Sequence, residues 1–191
     1  MDKKNHNTDR ARDRSSGFSL IELLIVVAII LIIAAIAIPN LLRAKIAANQ
    51  SAAVESLRTI SSAENTFSST YSDGFTLSLG QLGELKAGDP ASCTEAALID
   101  EVLSSNGVGN VSTKSGYTYT FTPGTVAALA SGVPAACPGP GWTGFSVSAT
   151  PITPSTGTAS YCIDDSGIIR VDSTGGGMAG VCSVLAFPPL Q

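Results

Sequence analysis

Histidine is nearly missing from this 191-residue sequence: the only one is His6. Beyond the first few residues no imidazole can serve as a general base, which removes the commonest route to acid–base and nucleophilic catalysis. No phosphate loop and no dinucleotide fingerprint is present, so the chain reads as a non-enzyme that needs no cofactor. The four cysteines show no C-x-x-C spacing, and without histidine to complete a donor set no zinc or other metal site is expected. Cations are scarce as well. Eleven Lys and Arg stand against fifteen Asp and Glu, and after residue 17 only six remain (Arg43, Lys45, Arg58, Lys86, Lys114, Arg170) against twelve acids. Nucleic acid is therefore not an expected partner, because binding it takes clustered cations that replace phosphate counterions.

What the sequence has in excess is apolar surface in one place. Sixteen uninterrupted apolar residues run from Leu23 to Ile38, preceded by Gly17-Phe18-Ser19-Leu20-Ile21-Glu22. A carboxylate at bilayer depth costs several kcal/mol unless it finds a partner, so an acid inside such a run is a functional signal. The partner must be a cation. A cut between Gly17 and Phe18 would create one: the new α-amino group would lie four residues from Glu22, on the same side of a helix and within reach of a neighbouring copy. The first 17 residues carry Lys3, Lys4, Arg10, Arg12 and Arg14 against Asp2, Asp9 and Asp13. Basic residues just before an apolar run predict that this leader stays in the cytoplasm and that the rest is exported. An ordinary secretory signal is cleaved after its apolar region; here the apolar region follows the cut and stays in the processed chain.

The residues GFSLIELLIVVAII resemble the cleavage and methylation signature of type IV prepilins and of the related pseudopilins of type II secretion. The resemblance spans Gly17 to Pro39. It implies a dedicated prepilin peptidase that cuts after Gly17 and N-methylates Phe18, leaving the amine cationic and able to pair with Glu22 of an adjacent subunit. Pro39 lacks an amide proton and clashes with the carbonyl of Ala35, so a kink or local melting is expected over Ala34 to Ile38. In the family the corresponding proline marks the segment that unwinds as subunits enter the filament. A leader of 17 residues departs from the pattern in which Phe at the first processed position goes with a shorter one.

Helical periodicity continues past the apolar run. Leu42, Ile46, Ala53, Leu57, Ile60, Phe67 and Tyr71 recur at steps of three, four or seven and trace one stripe of an amphipathic helix. A single helix is expected from Phe18 to about Ser69. Composition then shifts to Gly, Ser, Thr and Pro. Leu77, Leu79, Leu82 and Leu85 suggest a short turn or partial helix, and Ala96 to Leu103 a second short helix. Strand-like alternation follows at Tyr117 to Thr122, Gly144 to Thr150, Ser160 to Ile163 and Ile168 to Val171, with Asp165-Ser166-Gly167 closing the last hairpin. The loop Pro123 to Pro140 and Gly175 to Gly177 read as exposed. The expected fold class is α+β, a pilin-like long N-terminal helix packed on a small antiparallel sheet. It divides into a leader (1–17), an apolar membrane or filament-core helix (18–42), an amphipathic half (43–71) and a globular head (72–191). The segments SGYTYTF, FSVSATP and CIDDSGIIRVD resemble the sheet of bacterial type IV pilins.

Cys93, Cys137, Cys162 and Cys182 all fall in the exported part, where an even count favours two disulfides. Three pairings are open, and Cys93–Cys137 with Cys162–Cys182 is favoured. Asp164, Asp165 and Asp172 raise the question of calcium, but their spacing lacks a full ligand run and fits turn chemistry better. Phe67, Tyr71 and Phe75 raise electron hopping, yet their spacing fits a core stripe. The resemblance implies a structural subunit of a type IV pilus. Its partners would be other copies in a homopolymer, the prepilin peptidase and methyltransferase, an assembly platform with a cytoplasmic motor ATPase, and membrane lipid before assembly. The alternatives are a type II secretion pseudopilin and a monomeric, signal-anchored binding domain. The expected location is the bacterial inner membrane for the precursor and stored subunit, then an extracellular filament or a periplasmic pseudopilus.

Overall fold

The computed structural model describes residues 18–71, 74–83, 90–104, 109–125, 137, 141–178, 182 and 187–190. The leader with Gly17, Leu85, and most of the loop expected over Pro123 to Pro140 lie outside the described residues. The chain forms two compact units, Met1–Leu41 and Leu42–Gln191. One helix, α1 (Leu20–Tyr71, 52 residues), contributes to both.

In the first unit α1 is apolar on every side and covered on none. Leu20, Leu24, Ile29, Ile33, Ile36 and Leu41 are all exposed. Its most apolar 18-residue window has a mean hydropathy of 3.3 with no residue buried, so by length and composition the helix suffices to cross a membrane. Of the kink or local melting expected over Ala34 to Ile38, melting is not found: these residues are helical and α1 runs through Pro39 unbroken. Proline removes one ladder hydrogen bond there, and Ala34, Ala35 and Ala37, the strongest helix formers, hold the flanking turn.

In the second unit α1 turns a stripe inward. Ala53, Ser56, Leu57, Ile60, Ser61, Ala63, Glu64 and Phe67 are buried, a spacing that keeps one face of a 3.6-residue helix against its cover. The ends of the expected stripe are looser. Leu42 is exposed, and Ile46 and Tyr71 are half-buried.

The cover is a five-stranded antiparallel meander: β1 (Val111–Lys114), β2 (Tyr117–Pro123), β3 (Phe145–Pro151), β4 (Ser160–Asp164) and β5 (Arg170–Asp172), neighbours in that order. Alternate side chains of a strand share a face. Tyr117, Tyr119 and Phe121 from β2 therefore join Phe145, Val147 and Ala149 from β3 and Tyr161 and Ile163 from β4 in one core with Leu57, Ile60 and Phe67. Burial of a ring such as Phe67 contributes about 2–3 kcal/mol. The other face of β4 is closed by a smaller cluster of Cys162, Met178, Cys182 and Phe187. The α+β arrangement expected from the sequence is the one observed.

Two local readings need correction. Strand β1 was not expected; it is joined to β2 by Ser115 and Gly116, both at positive φ (51° and 77°), the two-residue turn that matches strand twist. The short helix expected over Ala96 to Leu103 is absent. Ala96, Leu98 and Ile99 spend their amides on the carbonyls of Gln81 and Leu82, so this backbone cannot close helical bonds until a single turn at 101–104, fastened by Asp100 Oδ1 to the amides of Val102 and Leu103. Leu79–Leu82 form one 3-10 turn, as the leucine spacing suggests.

Candidate functional site

The N-terminal site is built by the start of α1. Ser19 precedes the first helical residue, and its carbonyl accepts the amides of Glu22 (3.1 Å) and Leu23 (3.3 Å). Glu22, three residues on, reaches back so that its Oε2 accepts the Ser19 amide at 2.9 Å. This is the return half of a capping box, Ser-x-x-Glu, which satisfies an orphan donor and sets an acid against the positive end of the helix dipole. Glu22 is thus oriented by its own chain, and its second oxygen, Oε1, accepts no hydrogen bond from the described residues. Phe18 beside it is 81% exposed. Capping was legible in the sequence as Ser19-x-x-Glu22 and went unread. Pro39 lies within the exposed apolar half of α1, and Gly17 lies outside the described residues.

The cysteines lie far from Glu22 along the chain. Cys93 is bonded to Cys137 and Cys162 to Cys182, the first at the rim of the main core and the second inside the smaller cluster. The three acids of the last hairpin do not converge. Asp164 Oδ1 accepts the Ser166 amide at 3.0 Å and the Ser166 hydroxyl. Asp172 Oδ1 accepts the amide (2.8 Å) and hydroxyl (2.7 Å) of Thr174, bonds that hold its carboxyl below the ordinary value. Asp165 is exposed. Both buried acids do turn chemistry, and among the described residues no group of three His, Cys, Asp or Glu is placed to hold a metal. Phe67 and Tyr71 pack at 4.8 Å between ring centroids, and Phe75 meets Phe145 at 5.0 Å, which joins these rings to the core.

One acid escaped the sequence reading. Glu64 is fully buried on the inward face of α1, where its carboxylate accepts the amide of Thr76 at 3.0 Å and the Thr76 hydroxyl at 2.5 Å. Burial raises its pKa from 4.5 to about 7, against the opposing pull of the Thr76 bonds. Its signal was present: an acid four residues after Ile60 and three before Phe67 must share their face. Beside α1 an open groove of about 530 Å³ is lined by Arg58, Ser61, Ser62, Asn65 and Thr66 among others.

Comparison with known proteins bears on the N-terminal sequence. Residues 12–38 match the family model of the prokaryotic N-terminal methylation motif. Over 67 residues the chain is 48% identical to the type IV major pilin protein PilA of Myxococcus xanthus (strain DK1622), a match covering 34% of this chain and 30% of that protein. The chain thus spans under a third of the curated relative it matches. No solved structure matches.

Proposed function

We propose that this chain, whose N-terminal region carries the type IV pilin signature, is a structural subunit of a type IV pilus. It is cleaved between Gly17 and Phe18, methylated on the Phe18 nitrogen and polymerised through α1. The observation that carries the reading is a helix whose first half is bare and apolar from Leu20 to Ile38 and holds one carboxylate, Glu22, in its first turn. Such a surface needs lipid, or other copies of itself, at every stage. Before assembly the bilayer covers it; in the filament neighbouring helices do, so the apolar surface stays out of water throughout. Among identical apolar helices, sliding costs little. A fixed pairing of Glu22 Oε1 with the Phe18 ammonium of the next subunit sets the register, because a misplaced subunit leaves two unsatisfied charges. The capping contact to Ser19 supports this role by aiming the carboxylate before the partner arrives.

Energy for extraction comes from a cytoplasmic motor through an assembly platform, and maturation from a prepilin peptidase. A head with two disulfides favours an extracellular filament over a short periplasmic pseudopilus, since covalent closure matters most where no chaperone or reductant follows. The test is Glu22→Ala. Removing the acid makes the helix more apolar, so insertion and cleavage persist, while assembly loses its register. Expected are processed-length protein in the membrane by immunoblot and few or no sheared filaments by electron microscopy. Abundant filaments of unchanged symmetry would defeat the proposal.

A further inference from the structure

The apolar part of α1 ends abruptly. Leu23 to Leu42 are twenty residues with Asn40 as their one polar side chain, roughly 30 Å of helix at about 1.5 Å per residue, which is the thickness of a bilayer's hydrocarbon. Arg43 and Lys45 follow at once. Both are exposed, and among the described residues neither makes a hydrogen bond or an ion pair. The next charge along α1 is Glu55, ten residues beyond Lys45, too far to neutralise either. Residues two apart on a helix point about 200° apart, so the two cations leave α1 on opposite sides and cannot grip one anion together.

Elsewhere an exposed cation is a solvated surface group; here its depth gives it a partner. With Leu23 to Leu42 in hydrocarbon, the long stems of Arg43 and Lys45 carry their charges into the layer where phospholipid phosphates lie. We propose, resting on the storage of α1 in a bilayer argued above, that Arg43 and Lys45 each bind the headgroup of a separate anionic phospholipid in the leaflet on the exported side, and that together they fix the depth at which a stored subunit waits. The rest of the exported chain does not compete for these lipids. After Lys45 four basic side chains stand against eleven acids, a balance that an anionic surface repels. At the other end of the span the five cations of the leader depart with the cut, which leaves Arg43 and Lys45 as the only basic side chains bordering it. Sinking would drag both charges into hydrocarbon, and rising breaks both phosphate contacts, so extraction toward the filament starts by releasing this pair.

The test sets an indole beside the pair. The full chain with Leu42→Trp is inserted into vesicles of phosphatidylcholine and phosphatidylglycerol in equal parts, and its fluorescence is quenched by bromine on the acyl chains of one lipid class at a time; the chain without that substitution supplies the background from Trp142. Phosphatidylglycerol is expected to associate about fivefold more strongly than phosphatidylcholine for each cation engaged. Arg43→Gln and Lys45→Gln should each remove one cation's share, because the two meet separate lipids, and the double variant should fall to parity. Arg43→Lys should keep the enrichment, salt at about 1 M should collapse it, and Arg58→Gln, fifteen residues beyond Arg43, should leave it unchanged. Flotation of the same vesicles reports insertion separately. A chain that does not float with them overturns the bilayer reading and this proposal together. A chain that floats but is quenched equally by both lipids, or whose enrichment survives the double substitution, overturns this proposal alone.

Discussion

Glu64→Gln tests the head in a way that few single substitutions can. Glu64 is fully buried and keeps its proton in the folded head up to a pH of about 7, whereas in the unfolded chain it ionises near 4.5. The folded state therefore binds the extra proton between these values. Stability from this group is fully present below pH 4.5, declines as pH rises toward 7, and is lost above it. A shift of this size at about 1.36 kcal/mol per unit corresponds to about 3 kcal/mol, or roughly 10 °C in Tm for a domain of this length. Glutamine has the same shape and no charge at any pH; its carbonyl can accept the Thr76 amide and its NH2 can donate to the Thr76 hydroxyl. Unfolding by denaturant, followed through Trp142, the only tryptophan, reports this region directly, because Trp142 is bridged to Phe75 next to Thr76. The stability of Glu64→Gln minus that of the parent is expected to be near zero at pH 4.5 and to rise to about 3 kcal/mol by pH 7.5. A difference that stays constant across this range would show that Glu64 ionises as freely in the folded head as in the unfolded chain.

Gly17→Glu places a large charged side chain at the proposed scissile bond, and an immunoblot of membranes should show only the longer precursor; a processed-length band would move the cut elsewhere. Cys162→Ser with Cys182→Ser opens a loop with a sequence separation of 20, and a loss of about 3 kcal/mol in unfolding free energy is expected, read from denaturant titration, with no loss if the bridge does not constrain the unfolded chain. Gly157→Ala would set a Cβ 2.1 Å from the Tyr117 hydroxyl oxygen, which donates to the Ala159 carbonyl at 2.9 Å; displacing that ring should cost about 2 kcal/mol, read as a lower Tm.

The sequence made α1 legible because its signal is long and redundant: an unbroken apolar run, then a stripe in which Leu57, Ile60 and Phe67 repeat at helical spacing. Strands β2 and β3 showed themselves through strict alternation, Tyr117-Thr-Tyr119-Thr-Phe121 and Phe145-Ser-Val147-Ser-Ala149. Strand β1 did not, because Val111 to Lys114 has one apolar side chain and only the Ser115-Gly116 turn marks it. Ala96, Ile99 and Leu103 misled for the opposite reason. Their spacing is helical and all three are buried, but the backbone between them is committed to a distant segment, which periodicity does not register. At the N-terminus Glu22 stood out as a lone acid among apolar residues, a local signal that needs no tertiary contact. Glu64 was hidden, since a charge on a helix is read as a solvated face unless its exact phase on the stripe is counted. The bonds that lay Pro188 to Leu190 along β5 were out of reach, because they join residues about twenty apart.

The two disulfides follow one another along the chain and do not interleave: the loop closed at Cys137 is complete before Cys162 begins the next. Each staple therefore tolerates change in its own loop without disturbing the other. A protease that nicks the chain inside either loop leaves both pieces covalently joined. Length is equally free. Doubling the Cys93–Cys137 loop, now a separation of 44 residues, adds only about 0.6 kcal/mol of closure entropy. That latitude belongs to the connections alone, because the same loop carries β1, β2 and the core rings of Tyr117, Tyr119 and Phe121.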